Sequence, residues 1–124
     1  MGPRGVAALT GVGRIALGSA ILAAPVALTA RWLGDGAEDP LVIDLARGMA
    51  ARDIALGVAT LLTLDDSARA AKMQLACAAV DATDAVATLL ARRALPPGGA
   101  AAASAMAGAA SAVSLALARA LAAS

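Results

Sequence analysis

The sequence contains no histidine, phenylalanine or tyrosine, and only one cysteine and one tryptophan. Each absence removes a class of chemistry. Without imidazole, the common zinc and haem ligand sets are not expected. A lone thiol, Cys77, excludes a disulfide within the chain. With Trp32 as the only ring, an aromatic cage for a cation is not expected either. Charge is scarce: Asp, Glu, Lys and Arg make up 15% of the chain and the net charge is +1. There is no basic tract to carry a phosphate footprint, so nucleic acid is not an expected partner. No Gly-rich phosphate loop, nucleophile elbow or metal-spaced cluster occurs, so neither an enzyme nor a bound cofactor or metal is expected.

What fills the chain is alanine and leucine. Of the 124 residues, 60% are apolar, and the mean hydropathy is +0.79. That excludes a disordered chain, and the length allows one domain. The charges stand in short blocks between long apolar stretches, not along one face as in a soluble amphipathic helix. Ala94 to Ala118 holds no charge at all. At about 1.5 Å per residue, such a run crosses a ~30 Å hydrocarbon core. Residues 15–30 form a second stretch, and 40–64 and 72–91 are apolar except at specific ionisable positions. A soluble bundle would need many more Lys and Glu on its outside. The expected fold is therefore all-α, a single transmembrane domain over residues 1–124. It is read as a four-helix transmembrane bundle, antiparallel and up-down-up-down, embedded in a lipid bilayer, with helices at about 6–33, 40–64, 70–91 and 100–121.

Local signals set those limits. Arg31-Trp32 is a cation beside an amphipathic ring, as expected at a headgroup interface. Pro25 is expected to kink the first helix. Asp39-Pro40 reads as an N-cap followed by the first helical residue. Arg14 interrupts the first apolar stretch and Leu28-Thr29-Ala30 is a poor cleavage site, so removal as a signal peptide is not expected. If both termini are cytoplasmic, Arg4, Arg69, Lys72 and Arg119 lie inside and Arg31, Arg92 and Arg93 outside. This weak positive-inside bias favours that orientation.

The informative residues are the charges within the spans. They are Arg14 in the first, Asp44, Arg47, Arg52 and Asp53 in the second, and Asp81 and Asp84 in the third. Gln74, Cys77, Asp81, Asp84 and Thr88 follow steps of 3, 4, 3 and 4, which puts them on one helix face. Gly11, Arg14 and Gly18 step by 3 and 4, so small residues flank the guanidinium and let another helix approach. Asp53, Gly57 and Thr60 share a face, with Arg52 about 100° away and so turned to a different neighbour. Asp44 and Arg47 stand i, i+3 near a helix end and read as an interfacial pair. The near balance of sign predicts a buried network among Arg14, Arg52, Asp53, Asp81 and Asp84. Two carboxylates one turn apart raise each other's proton affinity, so Asp81 and Asp84 are candidates to share a proton. In the last span, Ala100, Ser104, Gly108 and Ala112 form a small-xxx-small series suited to close packing, either within the bundle or with a second copy or membrane partner. Cys77, Met49, Met73 and Met106 read as packing residues.

Three segments resemble a known pattern. Ala51-Arg52-Asp53-Ile54-Ala55-Leu56-Gly57 is similar to a Gly-x-Arg-Asp-x-x-Leu-Gly signature, with Ala50 in the place of its first glycine. Asp81-Ala82-Thr83-Asp84-Ala85 is similar to an Asp-x-x-Asp-Ala motif, and Gly13-Arg14-Ile15-Ala16-Leu17-Gly18 with Pro25 to a first-span pattern. Together they resemble an uncharacterised family of small four-span bacterial integral membrane proteins, over roughly residues 9–91. The resemblance implies a four-helix membrane fold, and with it the bacterial inner membrane, but no activity. Two functional expectations follow from the residues. The first is a structural or accessory membrane protein locked by the Arg/Asp network. The alternative is a small proton-coupled transporter in which Asp81 or Asp84 titrates.

The second span also yields a measurable expectation. An ion at a span centre costs about 2.5–3.5 kcal/mol, while each Leu, Ile or Val returns about 0.3–0.6 kcal/mol. Arg52 and Asp53 therefore offset most of what the apolar residues of 40–64 contribute. We predict that this segment alone inserts poorly in a glycosylation-mapping reporter; efficient insertion would contradict the marginal balance.

Overall fold

Prolines and acidic caps decide where the helices begin. The computed structural model describes residues 1–124 and contains five α-helices and no strand. They are α1 (Pro3–Ala23), α2 (Pro25–Leu33), α3 (Pro40–Leu62), α4 (Ser67–Leu90) and α5 (Gly99–Ala122). Pro3, Pro25 and Pro40 each stand in the first turn of a helix, where the missing N–H leaves no bond unmade. Asp39 caps α3, its carboxylate accepting from the Leu41 N–H at 2.8 Å. Asp66 caps α4 through the Arg69 N–H at 2.9 Å. That bond holds the Asp66 carboxyl below its ordinary range. Because of this cap α4 starts at Ser67, three residues earlier than expected from the pattern.

The first expected helix, 6–33, is two helices. Ala24 sits at φ −140°, ψ 65°, outside the helical region. The ring of Pro25 crowds the residue before it and disfavours the helical backbone there, so the chain breaks where a kink was expected. Short 3₁₀ turns, Gly34–Glu38 and Arg92–Ala94, fill two of the connections. Gly34 (φ +56°) and Gly98 (φ +80°) supply the left-handed backbone at the end of α2 and the start of α5.

The helices form two close pairs, α1 with α3 and α4 with α5. In the first pair the backbones nearly touch. A Cβ on Gly57 would stand 2.5 Å from the Gly11 carbonyl oxygen, and one on Gly18 would stand 2.6 Å from that of Ala50. As α1 advances from Gly11 to Gly18, the facing residue of α3 falls from Gly57 to Ala50. The second pair is joined by serines: Ser111 Oγ donates to the Ala78 carbonyl at 2.8 Å and Ser104 Oγ to that of Ala85 at 3.5 Å. Between the pairs, Ala7 of α1, Ala70 and Ala71 of α4, and Leu117 and Leu121 of α5 form a small apolar cluster. It lies at the end where Arg4 donates to Ser67 Oγ (2.7 Å) and Ser67 meets Ser124 (3.1 Å).

Large aliphatic side chains cover much of the surface. Only 20 of 124 residues are buried, and they include Asp81, Gln74, Thr60 and Ser114, while Leu41, Leu45, Leu62, Val86 and Leu90 are exposed. Helices α1, α4 and α5 are each long and apolar enough to cross a membrane. α3 matches them in length but carries Asp44, Arg47, Arg52 and Asp53.

Glycine substitutions test the first pair. Gly18→Ala and Gly57→Ala place a methyl group against backbone and are expected to lose about 1–3 kcal/mol in detergent unfolding. Gly13→Ala and Gly108→Ala, where a Cβ meets nothing within 4 Å, are expected to be neutral or to gain up to about 1 kcal/mol. Equal behaviour of all four would show that α1 and α3 do not meet at this distance.

Candidate functional site

α1 contains no acidic residue, so Arg14 has to find its partners on other helices. Gly11 and Gly18, one turn to either side, are buried and bring the α1 backbone against α3. The guanidinium then forks. Nη1 donates to Asp53 Oδ1 of α3 at 3.3 Å, and Nη2 donates to Asp81 Oδ2 of α4. Asp53 Oδ1 also accepts from Arg52 Nη2 at 3.3 Å. Arg52 in turn grips Asp84 with both of its terminal nitrogens, Nη1 to Oδ1 at 3.0 Å and Nη2 to Oδ2 at 2.7 Å. This planar bidentate contact suits guanidinium and carboxylate. The result is an unbroken chain, Asp81–Arg14–Asp53–Arg52–Asp84, in which every neighbour has the opposite sign. It runs across α1, α3 and α4.

Burial falls along that chain from Asp81 to Arg52. The Asp81 side chain is 7% exposed and Arg14 14%, against 34% for Arg52. Arg14–Asp81 is thus the inner pair, where a lost partner leaves a charge with little access to water. Arg52 and Asp84 line a cleft of about 230 Å³ together with Ala79, Val80 and Thr83. Arg52 Nε is buried without a partner. Further along α4 the polar face continues inward. Cys77 Sγ lies 3.9 Å from Thr60 Oγ1, and Gln74 is buried with Oε1 unpaired.

The structure brings together the five residues of the network and refines how they meet. Arg52 and Asp53 do serve different neighbours, Asp84 and Arg14, but the long Arg52 side chain also reaches back to Asp53. Asp81 and Asp84 do not bond to each other: each is held by its own arginine. Asp44 and Arg47 are exposed on α3 and form no ion pair with each other. An exposed i, i+3 pair gains little against water. The series Ala100, Ser104, Gly108, Ala112 does not stay on one face. Ser104 meets α4, while Gly108 and Ala112 are exposed. Steps of four advance about 400°, so the row drifts about 40° per step around the axis. The face that packs on α4 instead follows Ser104, Ser111, Ser114, Ala118 and Leu121, which keeps the heptad. Ser114 was not singled out by the pattern, although its spacing from Ser111 was a usable signal. The Arg4–Ser67–Ser124 contact had none, because it joins three distant parts of the chain.

Three carboxylates around two guanidiniums leave one negative charge in excess. This orders the effects of mutation. Arg14→Leu strands the most buried carboxylate and is expected to cost about 3–5 kcal/mol. Arg52→Leu leaves the same charge imbalance nearer the surface and costs less. Asp84→Leu leaves two charges of each sign and is the mildest. Arg52→Leu with Asp84→Leu recovers part of the Arg52→Leu loss. Unfolding in detergent reads all four, and the reverse order of Arg14→Leu and Asp84→Leu would refute the alternating chain.

No family model, curated protein or solved structure matches the chain.

Proposed function

We propose that the chain is a small integral protein of the bacterial inner membrane with a structural or accessory role. In this reading α1 with α2, α3, α4 and α5 make four spans, antiparallel and up-down-up-down, and the Arg/Asp chain locks their register. The observation that carries it is the inverted distribution of polarity. Alternating charges and Gln74 lie inside, while large aliphatic side chains cover the outside. A bilayer favours this arrangement and water opposes it. α3 enters as the fourth span because α1 and α4 neutralise its central charges: Asp53 accepts from Arg14, and Arg52 donates to Asp84. The resemblance of the Arg-Asp and Asp-x-x-Asp motifs to a family of four-span proteins supports the same reading. The end with both termini carries Arg4, Arg69, Lys72 and Arg119, against Arg31, Arg92 and Arg93 at the other, which favours cytoplasmic termini.

A lock is favoured over a proton-coupled carrier by the pairing. A carrier needs a carboxylate free to exchange its proton, and both Asp81 and Asp84 are engaged by arginine. Two measurements test the proposal. With Cys77→Ala as background, Ser124→Cys and Gly36→Cys are expected to react with a membrane-impermeant maleimide from opposite sides of the membrane. Labelling from one side would remove the four-span topology. In proteoliposomes under a pH gradient, proton flux is expected to equal that of empty vesicles. A flux that Asp84→Asn or Asp81→Asn abolishes would replace the lock with a carrier.

A further inference from the structure

At the end holding both termini, residues of α4 and α5 line an open groove of about 540 Å³. Its floor is small and apolar, with Ala71 and Ala118 buried. Two exposed leucines, Leu75 and Leu115, wall it. Two cations, Lys72 and Arg119, also line it. Neither forms an ion pair. The nearby acids Asp65 and Asp66 are engaged by Arg69. The spacing gives the groove a direction. Lys72 precedes Leu75 by three residues along α4, and Arg119 follows Leu115 by four along α5. Each pair therefore shares a helix face, and each leucine lies about 4.5–6 Å deeper than its cation. Lys72 is five residues from the start of α4 and Arg119 three from the end of α5, so both cations sit within about 8 Å of the helix ends.

We propose that this groove binds an anionic phospholipid, its phosphate between Lys72 and Arg119 and an acyl chain along Leu75 and Leu115. The inference rests on the membrane reading above. Charge complementarity selects the headgroup: two cations without an ion pair line one opening and favour an anion there. The apolar walls below them select a lipid over a free anion, because a soluble phosphate leaves Leu75 and Leu115 uncovered. The hydroxyls of Ser67 and Ser124 also line the groove, and Arg4 already donates to Ser67.

The test is native mass spectrometry of the full chain released from detergent micelles doped with dioleoyl-phosphatidylglycerol or dioleoyl-phosphatidylcholine. A basic residue close to anionic lipid is worth about fivefold in binding, so two give a preference of at least roughly tenfold for phosphatidylglycerol adducts. Lys72→Ala with Arg119→Ala is expected to reduce this to within about twofold. Arg92→Ala with Arg93→Ala, at the other end, keeps it, as does Lys72→Arg. Circular dichroism matching the wild type certifies that the double variant is folded. A preference that survives in the folded Lys72/Arg119 variant overturns the site. So does displacement of the phosphatidylglycerol by equimolar inorganic phosphate, which would assign the cations to a soluble anion. A dimer in place of the adduct would assign the groove to a second copy. Insertion is checked separately by alkaline extraction of vesicles made with either lipid. Failure to insert in both strikes the membrane reading itself, whereas insertion without a headgroup preference strikes this site alone.

Discussion

An arginine in the middle of an apolar helix that has no acid of its own fixes the position of everything it touches. Arg14 satisfies its charge only if α3 brings Asp53 and α4 brings Asp81 to the same depth. Each terminal nitrogen goes to a different helix, so a shift of either one breaks a bond in a place where water is a poor substitute. The glycines beside it serve the same end. Gly11 and Gly18 remove the side chains that would hold α3 away, and Gly57 does so from the other side. A guanidinium with its stem near the α1 axis can then reach across α3 to α4. Coupling between close backbone contact and charge pairing makes register a property of the whole bundle.

The chain of alternating sign also explains how two tightly packed pairs become one unit. Within α1/α3, contact is made by glycine against carbonyl; within α4/α5, by serine hydroxyl against carbonyl. Both devices bring backbones together without large side chains, which suits an environment where apolar surface gains nothing by association. Between the pairs the contact is thinner. It includes the small cluster around Ala7, Ala71 and Leu121, the Arg4–Ser67 and Thr60–Cys77 contacts, and the bonds from Arg14 to Asp81 and from Arg52 to Asp84. The charged chain is the directional part of that joint. Van der Waals contact between alanines tolerates sliding, whereas a bidentate Arg–Asp fork does not.

Much of this was legible in the sequence, because helix spacing converts directly into facing. Gly11, Arg14 and Gly18 share a face by steps of 3 and 4, and so do Cys77, Asp81 and Asp84. An Ala-rich chain with few charges leaves little choice about what those charges meet. Other features depended on detail that periodicity does not carry. Whether Pro25 kinks or breaks a helix turns on the backbone of one residue, Ala24. That Arg52 also reaches Asp53 depends on the length of a flexible side chain, not on the angle at which its Cβ leaves the helix. The row Ala100 to Ala112 reads as a stripe when written in steps of four, yet winds off the face over three turns. The heptad through Ser104, Ser111 and Ala118 is the row that stays.

The asymmetry between the two ends follows from the same economy of side chains. At one end Gly99 fits beneath the Trp32 carbonyl, where a Cβ would stand 2.8 Å from the oxygen, so α2 and the start of α5 close on each other through backbone. At the other end α4 and α5 still meet, through the Ser67–Ser124 contact and the cluster around Leu121, and Lys72, Leu75, Leu115 and Arg119 line an open groove there. Small residues draw helices together, and long ones beside the contact wall the groove. In this alanine-rich bundle the groove lies where a few long side chains line up across two helices. In this chain that alignment sets cations at the rim and leucines below. Each charge of the central network has a partner within the bundle, on one of three helices, with one negative charge in excess. Lys72 and Arg119 at this rim have no partner within the chain, and the proposed lipid phosphate is the anion that meets them.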